Sequence, residues 1–99
     1  MIRITVVTQT KEEVVLKVEG WMEEEAVDIL AQEGERYIQQ TERLVLDLTG
    51  IRSIDDTGIR LLQRWSGEHT VLRGASRFIQ TLLKVHGLNM EGGDKNSDE

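Results

Sequence analysis

One almost unbroken apolar run, Leu44-Val45-Leu46-Asp47-Leu48, constrains the fold of this 99-residue chain more than any other stretch. Runs of this kind are typical of a central strand in a parallel sheet, which is covered on both faces. Parallel neighbours must be joined by a long crossover, usually a helix. The run therefore predicts an α/β fold in which helices connect the strands and pack on the sheet.

Two segments with alternating apolar residues come before this run. The first has Ile2, Ile4 and Val6, and the second has Val14, Leu16 and Val18. A period of two is that of a half-buried strand, and a short polar link between two such strands predicts an antiparallel hairpin. Gly20 is predicted to close the second strand.

Three further segments have the apolar period of a helix. The first runs from about residue 22 to residue 40, and its apolar stripe is Ala26, Val27, Leu30, Gly34, Tyr37 and Ile38. Its acidic start, Glu23 to Glu25, suits the positive end of a helix dipole. A short second helix is marked by Ile59, Leu61, Leu62 and Trp65. The predicted buried side of the last helix is Phe78, Ile79, Leu82, Leu83 and Val85.

The last helix has recognisable end signals. Ser76 is a good N-cap, and Gly87 followed by Leu88 predicts a glycine helix stop. A short strand from Thr70 to Leu72 lies before it. The predicted order is therefore β-β-α-β-α-β-α, a mixed four-stranded sheet with helices packed on it and the first strand antiparallel at one edge.

The chain is long enough for one domain only, because a second hydrophobic core would have no residues left to form it. We place this domain at residues 1–88. Residues 89–99 are rich in Gly, Asn, Asp and Lys and have no apolar periodicity. We expect them to form a disordered acidic tail.

The composition argues against several classes of function. The 18 acidic residues outnumber the 12 basic ones, which argues against nucleic acid as the main partner. The absence of cysteine excludes disulfides, thiolate catalysis and cysteine metal sites. No apolar run approaches the ~20 residues of a membrane span, and the N-terminus lacks the layout of a signal peptide. We expect a cytoplasmic protein that is not inserted in a membrane.

The candidate site is the turn Asp55-Asp56-Thr57-Gly58 with Ile59, which opens the second helix after the buried strand. A helix N-terminus has free N–H groups and a dipole that favours negative charge, so a phosphorylated hydroxyl would be stabilised there. Glycine permits the close approach of another backbone. A simpler interpretation is that Asp55, Asp56 or Thr57 caps the helix, which contributes about 1 kcal/mol and requires no function.

The stretches 44–51 and 54–59 together resemble the signature of the STAS (anti-sigma-factor antagonist) family. That signature is an apolar strand, a short loop and an Asp-Ser-Ser/Thr-Gly turn that opens a helix. Gly20 and the ending in Gly87-Leu88 also match, so the resemblance covers about residues 2–88. It implies a small bacterial α/β interaction module that is not an enzyme and has no cofactor or metal.

The resemblance also implies that Asp55, Asp56, Thr57, Gly58 and Ile59 bind a protein partner. In family members that antagonise anti-sigma factors, a partner kinase phosphorylates the serine after the first aspartate, and the unphosphorylated form binds that kinase. Here the serine position holds Asp56, whose charge of about −1 only partly mimics the −1.5 to −2 of phosphoserine. Thr57 is the candidate substitute phosphoacceptor.

Three kinds of partner remain open under this resemblance. The first is a kinase-type anti-sigma factor, so that the chain would regulate transcription. The second is the cytoplasmic ATPase of an ABC lipid transporter, of which the chain would be an accessory subunit; the missing serine favours it. The third is a larger signalling assembly in which the chain would be a scaffold.

An enzymatic function has little support from the residues. Asp47, Asp55 and Asp56 could be imagined as a Mg²⁺ site, but no basic residue follows the last strand in a convincing position. His69 and His86 lack the spacing of zinc ligands. There is no Gly-rich phosphate cradle and no nucleophile elbow.

The two tryptophans, Trp21 and Trp65, receive different interpretations. We predict a core position for Trp65, which ends a short helix. Trp21 is left as either a core residue or an anchor for a partner.

Overall fold

The computed structural model describes residues 1–67 and 69–91. Its strands are β1 (Ile2–Gln9), β2 (Glu13–Met22), β3 (Arg43–Ile54) and β4 (Thr70–Arg73). Its helices are α1 (Glu25–Gln40), α2 (Asp56–Trp65) and α3 (Arg77–Val85). The predicted order and the predicted α/β class are confirmed.

The four strands form one sheet in the order β1-β2-β3-β4. The edge strand β1 is antiparallel to β2, whereas β2, β3 and β4 are parallel neighbours. Both parallel connections cross in the same direction along the sheet, β2 to β3 through α1 and β3 to β4 through α2. Because such crossovers are right-handed, α1 and α2 lie on the same face of the sheet.

The core occupies that face. The sheet contributes alternate residues, which are Val14, Leu16, Val18, Leu44, Leu46 and Leu48. The helices contribute Val27, Leu30, Ile59, Leu62, Ile79 and Leu83 to the same cluster. Val15 and Val45 are buried but lie outside it, because successive residues of a strand point to opposite faces. The helices therefore cover β3 on one face, whereas its apolar run predicted cover on both.

Both central strands are longer than predicted. β2 continues past Gly20 to Met22, and β3 continues past Gly50 to Ile54. Their pairing persists through register shifts of the β-bulge kind, one of which lies between Gly20 and Trp21. Because Met22 is the last residue of β2, α1 starts at Glu25, three residues later than predicted.

Trp65 is 4% exposed, which confirms its predicted core position. Its ring lies against Gly34 of α1, where a Cβ atom would be only 2.3 Å from the ring carbon Cη2. A side chain at position 34 would push the two helices apart. Gly34 thus permits the close packing of α1 on α2.

The end signals of α3 are confirmed. Ser76 Oγ accepts the N–H of Ile79 at 3.2 Å. At the other end, the N–H of Leu88 donates to Leu83 O at 2.9 Å and that of Gly87 donates to Lys84 O at 3.0 Å. These two bonds are those of a Schellman motif, and Leu88 folds back into the core.

The predicted buried side of α3 is partly wrong. Ile79 and Leu83 are buried, but Phe78 is 68% exposed and Val85 is 75% exposed. Ile79 and Leu83 are four residues apart and so share one stripe of this short helix. That stripe faces the sheet, Leu82 packs against the core from a partly buried position, and Phe78 and Val85 lie in solvent.

The packed chain also runs beyond the predicted boundary at Leu88. Met90 is 9% exposed and pairs with Leu72 of β4, and the N–H of Glu91 donates to Leu72 O at 2.7 Å. The carboxylate of Glu91 forms an ion pair of 3.1 Å with Arg73. Residues 92–99 of the predicted tail lie outside the described residues. No helix in the described part of the chain is long and apolar enough to cross a membrane.

Candidate partner-binding site

The turn between β3 and α2 is organised by the carboxylate of Asp55. Asp55 is the N-cap of α2, and its Oδ1 accepts the N–H of Gly58 at 3.0 Å and the hydroxyl of Thr57 at 2.6 Å. The simpler interpretation from the sequence, a helix cap, therefore applies to Asp55. The cap satisfies one of the N–H groups that a helix start leaves unpaired.

The other carboxylate oxygen of Asp55 reaches a different part of the chain. Oδ2 accepts the N–H of Glu24 at 3.0 Å, across 31 residues of sequence. The N–H of Asp55 also donates to Met22 O at 3.2 Å. These bonds join the start of α2 to the β2–α1 connection, which is near because the ends of parallel β2 and β3 share one edge of the sheet.

Glu24 has an unusual backbone conformation, with φ 47° and ψ −118°. These angles match the first central residue of a type II′ turn, a position that normally holds glycine. The turn is closed by the N–H of Ala26, which donates to Glu23 O at 2.9 Å. A non-glycine residue held there costs about 1–3 kcal/mol, which the surrounding bonds must offset. The Asp55 carboxylate supplies one of them.

Gly58 is buried and lies where the start of α2 meets the end of β2. A Cβ atom at this position would be 2.8 Å from Met22 O and 2.7 Å from a methyl carbon of Ile54. The turn therefore requires glycine for steric reasons, whether or not a partner is bound.

The predicted partner-binding residues divide by exposure. Asp56 and Thr57 are exposed, and Asp55 is half-buried. Gly58 is buried, and Ile59 is 5% exposed within the core cluster. Asp55, Asp56 and Thr57 are therefore accessible to a partner. Gly58 and Ile59 are not, because they begin the buried side of α2.

The hydrogen bonds of the turn keep Asp55 charged. The pKa of its carboxyl is lowered, chiefly by the hydroxyl of Thr57 and also by the N–H groups of Gly58 and Glu24, which outweigh partial desolvation. Donors of this kind favour the ionised form. Asp55 is consequently a fixed acceptor that orients the turn.

Thr57 has a basic neighbourhood on its helix side. It lines a shallow depression with Arg60 and Arg64 of α2 and Asp28 of α1. Arg64 is paired with Glu35 at 2.8 Å, whereas Arg60 takes part in none of the ion pairs found among residues 1–67 and 69–91. The helix N-terminus and Arg60 would both stabilise a negative group on Thr57.

Asp47 is engaged elsewhere. Its Oδ1 accepts the N–H and the hydroxyl of Thr49 at 2.9 and 2.6 Å. Burial raises the pKa of Asp47, but the Thr49 bonds together with Lys17 and Arg73 lower it overall. Within the described residues, no group of three or more His, Cys, Asp or Glu side chains could hold a metal ion.

Sequence reasoning missed the contribution of the β2–α1 connection. We interpreted Glu23 to Glu25 as the first helical turn, but Glu23 and Glu24 precede α1. Glu23 accepts the hydroxyl of Ser53 at 2.6 Å, so this connection is tied to β3 as well. The sequence did contain one signal for this. Met22 continues the alternation of Val14, Leu16 and Val18, which would have predicted that β2 extends to residue 22 and that the helix starts later.

Comparisons with known proteins agree with this geometry. The family model described as "Mlab, STAS domain" matches residues 5–90. The chain belongs to the STAS family. A search of curated proteins gives no match.

Solved structures of this fold include two forms of one relative. The anti-sigma factor antagonist SpoIIAA in its unphosphorylated form is 14% identical with a TM-score of 0.70, and the match covers 98% of each chain. The Bacillus cell fate determinant SpoIIAA in its phosphorylated form is 14% identical with a TM-score of 0.63, covering 99% of this chain and 98% of that one. At this identity, the likeness establishes that the STAS chain shares the fold.

Proposed function

We propose that this STAS chain is a non-catalytic interaction module that binds a protein partner through Asp56, Thr57 and the surface around them. One observation carries the proposal: the Asp55 carboxylate ties both flanking connections together and holds Asp56 and Thr57 exposed at the N-terminus of α2. A rigid, charged turn of this kind suits recognition, because little conformational freedom is lost on binding.

The first candidate partner is a cytoplasmic kinase-type anti-sigma factor. The support is the turn motif in its strand-to-helix context and the fold shared with SpoIIAA, which is described as an anti-sigma factor antagonist with unphosphorylated and phosphorylated forms. Asp56 stands at the usual phosphoacceptor position and carries a charge that cannot be removed. It would bias the module toward one constitutive state.

Thr57 is the proposed substitute phosphoacceptor. Its hydroxyl oxygen would attack the γ-phosphorus of ATP on the partner, lose its proton to solvent, and release ADP. The exposed position and Arg60 favour this, and the 2.6 Å bond that the hydroxyl donates to Asp55 leaves its oxygen lone pairs free to attack. Because that bond fixes the hydroxyl within the turn and the usual acceptor position is 56, we expect phosphorylation of Thr57 to be slower than that of a serine at position 56.

The test is incubation with the cognate kinase and ATP, followed by mass spectrometry of the wild type, Thr57→Val and Asp56→Ser. We expect phosphate on Thr57 in the wild type, none in Thr57→Val, and faster labelling of Ser in Asp56→Ser. Thr81→Val, which alters an exposed threonine of α3, is the matched control and should label like the wild type. Failure to bind any such kinase would reject the anti-sigma assignment.

The second candidate partner is the ATPase subunit of an ABC transporter. The observation that favours it is Asp56, since a contact without a phospho-switch needs no acceptor serine. Co-purification with an ATPase subunit, abolished by Asp56→Arg and unaffected by Glu42→Arg, the same kind of charge reversal at an exposed glutamate outside this surface, would support this candidate. Co-purification with a kinase instead would support the first.

A further inference from the structure

An apolar groove with an acidic rim lies beside the candidate site. Its volume is about 530 Å³, and it opens between the start of β1, the end of β2 and the start of α1. The lining residues are Met1, Ile2, Trp21, Glu23, Glu24, Glu25, Ala26 and Ile29. We call this surface the Trp21 groove.

The apolar residues of the Trp21 groove are unusually exposed. Trp21 is 45% exposed, Ile29 is 53% exposed and Met1 is 93% exposed. Trp21 is held in place by its backbone, because its N–H donates to Met1 O at 3.0 Å. Tryptophan is one of the residues enriched at the energetic centres of protein interfaces, and Trp21 presents nearly half of its surface to solvent.

The charged side chains on the rim are all acidic. Three glutamates line the groove and no lysine or arginine side chain does, so the carboxylates outnumber the one ammonium group, that of the Met1 N-terminus. None of the three takes part in an ion pair among the described residues. These three consecutive residues line one side of an apolar surface, so a cation placed there would be attracted more strongly than in open solvent.

The groove is continuous with the Asp55 turn. Glu24, which lines the groove, donates its N–H to Asp55 Oδ2 at 3.0 Å, and Glu23 accepts the hydroxyl of Ser53 at 2.6 Å. One hydrogen-bonded unit therefore positions both the acidic rim and the exposed Asp56 and Thr57.

We infer that the Trp21 groove docks a protein segment in which apolar anchor side chains are flanked by lysine or arginine. The apolar anchors would cover Trp21 and Ile29, and the cations would pair with Glu23, Glu24 and Glu25. Nucleic acids and anionic membrane surfaces are excluded by the same rim, because their phosphates would be repelled. The inference rests on the proposed function only in one respect: the groove would add a second contact surface to the one that Asp56 and Thr57 present to the partner.

The test uses a fluorescein-labelled amphipathic peptide with leucines on one face and lysines on the other, measured by anisotropy with the full chain at low salt. We expect Trp21→Ala to weaken binding by about tenfold or more. The triple variant Glu23→Gln/Glu24→Gln/Glu25→Gln should weaken it by about tenfold and flatten its salt dependence.

Matched controls separate the groove from general effects. Glu12→Gln/Glu33→Gln/Glu42→Gln removes the same charge outside the groove and should bind like the wild type, as should Phe78→Ala, which alters another exposed aromatic residue. In an NMR titration with the peptide, the backbone amide signals that shift should be those of the residues that line the Trp21 groove. Asp56→Ala and Thr57→Val should leave peptide affinity unchanged even where they abolish binding of the kinase or ATPase, so the two proposals fail independently.

Four results would overturn the inference. These are equal binding of a peptide with glutamates in place of the lysines, equal weakening by the control triple variant, binding of anionic vesicles through Trp21, and self-association of the chain that protects Trp21.

Discussion

Helices α2 and α3 both begin with a side-chain cap, but the two caps differ in reach. Ser76 accepts one N–H from its own first turn, that of Ile79 at 3.2 Å. Asp55 accepts two donors from its own turn and a third from Glu24, 31 residues away. The first cap organises a helix end, whereas the second also organises the contact between two chain connections.

The wider reach of the Asp55 cap distinguishes the turn that we propose as the partner-binding site. A neutral local cap stabilises its helix and leaves the surface around it independent of the rest of the fold. A charged cap that is shared with a strained residue makes the exposed turn depend on the geometry of β2 and α1. The strained residue Glu24 is bonded directly to the cap of the turn that carries Asp56 and Thr57, and backbone strain is common at functional sites.

The largest predicted effect is that of Asp55→Ala, which removes the long-range cap. Loss of the cap costs about 1–2 kcal/mol and loss of the Glu24 bond about 0.5–1.5 kcal/mol more, so we expect the free energy of unfolding to fall by about 1.5–3.5 kcal/mol. Urea denaturation measures this change.

Ser76→Ala is the matched control for that variant. It removes a purely local cap and should lower the free energy of unfolding by only about 1 kcal/mol. Equal losses in the two variants would show that the bond between Asp55 and Glu24 contributes nothing to stability.

Relief of the backbone strain at Glu24 should raise the free energy of unfolding. Glu24→Gly keeps the N–H that Asp55 binds and removes about 1–3 kcal/mol of strain, against about 0.5–1 kcal/mol for the greater freedom of glycine when unfolded. We expect a net gain of about 1 kcal/mol, within the range of about 0–2.5 kcal/mol that these two terms allow, measured by urea denaturation.

The neighbouring variant Glu25→Gly tests whether the gain is specific to position 24. Glu25 is the first residue of α1, so glycine there should lower the free energy of unfolding by up to about 1 kcal/mol. A loss in both variants would mean that position 24 is not strained in solution.

The smallest predicted effect is a difference in pH dependence. The pKa of Asp55 is lowered below its ordinary 3.8 in the folded chain. The folded state therefore stabilises the ionised form, and the resulting stability is present above pH 3.8 and lost as pH falls through the folded pKa.

The measurement compares the wild type with Asp55→Asn from neutral pH downward, with an NMR titration of the Asp55 carboxyl. The stability difference between the two should shrink below pH 3.8, whereas the difference between the wild type and Ser76→Ala should stay constant. An Asp55 carboxyl that titrates at or above 3.8 would contradict the prediction.

The element order, the core tryptophan and the Ser76 cap could be predicted because each depends on residues a few positions apart, and the cap of α2 could be narrowed to Asp55, Asp56 or Thr57. Helix caps join residues at fixed short spacings, and strand faces alternate with a period of two. The partly wrong predictions concern α3 and the start of α1. At Phe78 the pattern identified an apolar residue but not that no neighbouring element covers it. At Met22 the pattern did not show whether the residue belongs to the end of β2 or to the start of α1.

The amino-acid sequence was enough to predict an α/β domain of the STAS family with a helix-opening turn after its central strand, capped by Asp55, Asp56 or Thr57. Only the tertiary structure decided which residues of that turn face solvent and what holds them there. Asp55 meets Glu24 because β2 and β3 pair in parallel and end at the same edge of the sheet. That proximity arises from strand register, and no local pattern around either residue contains it.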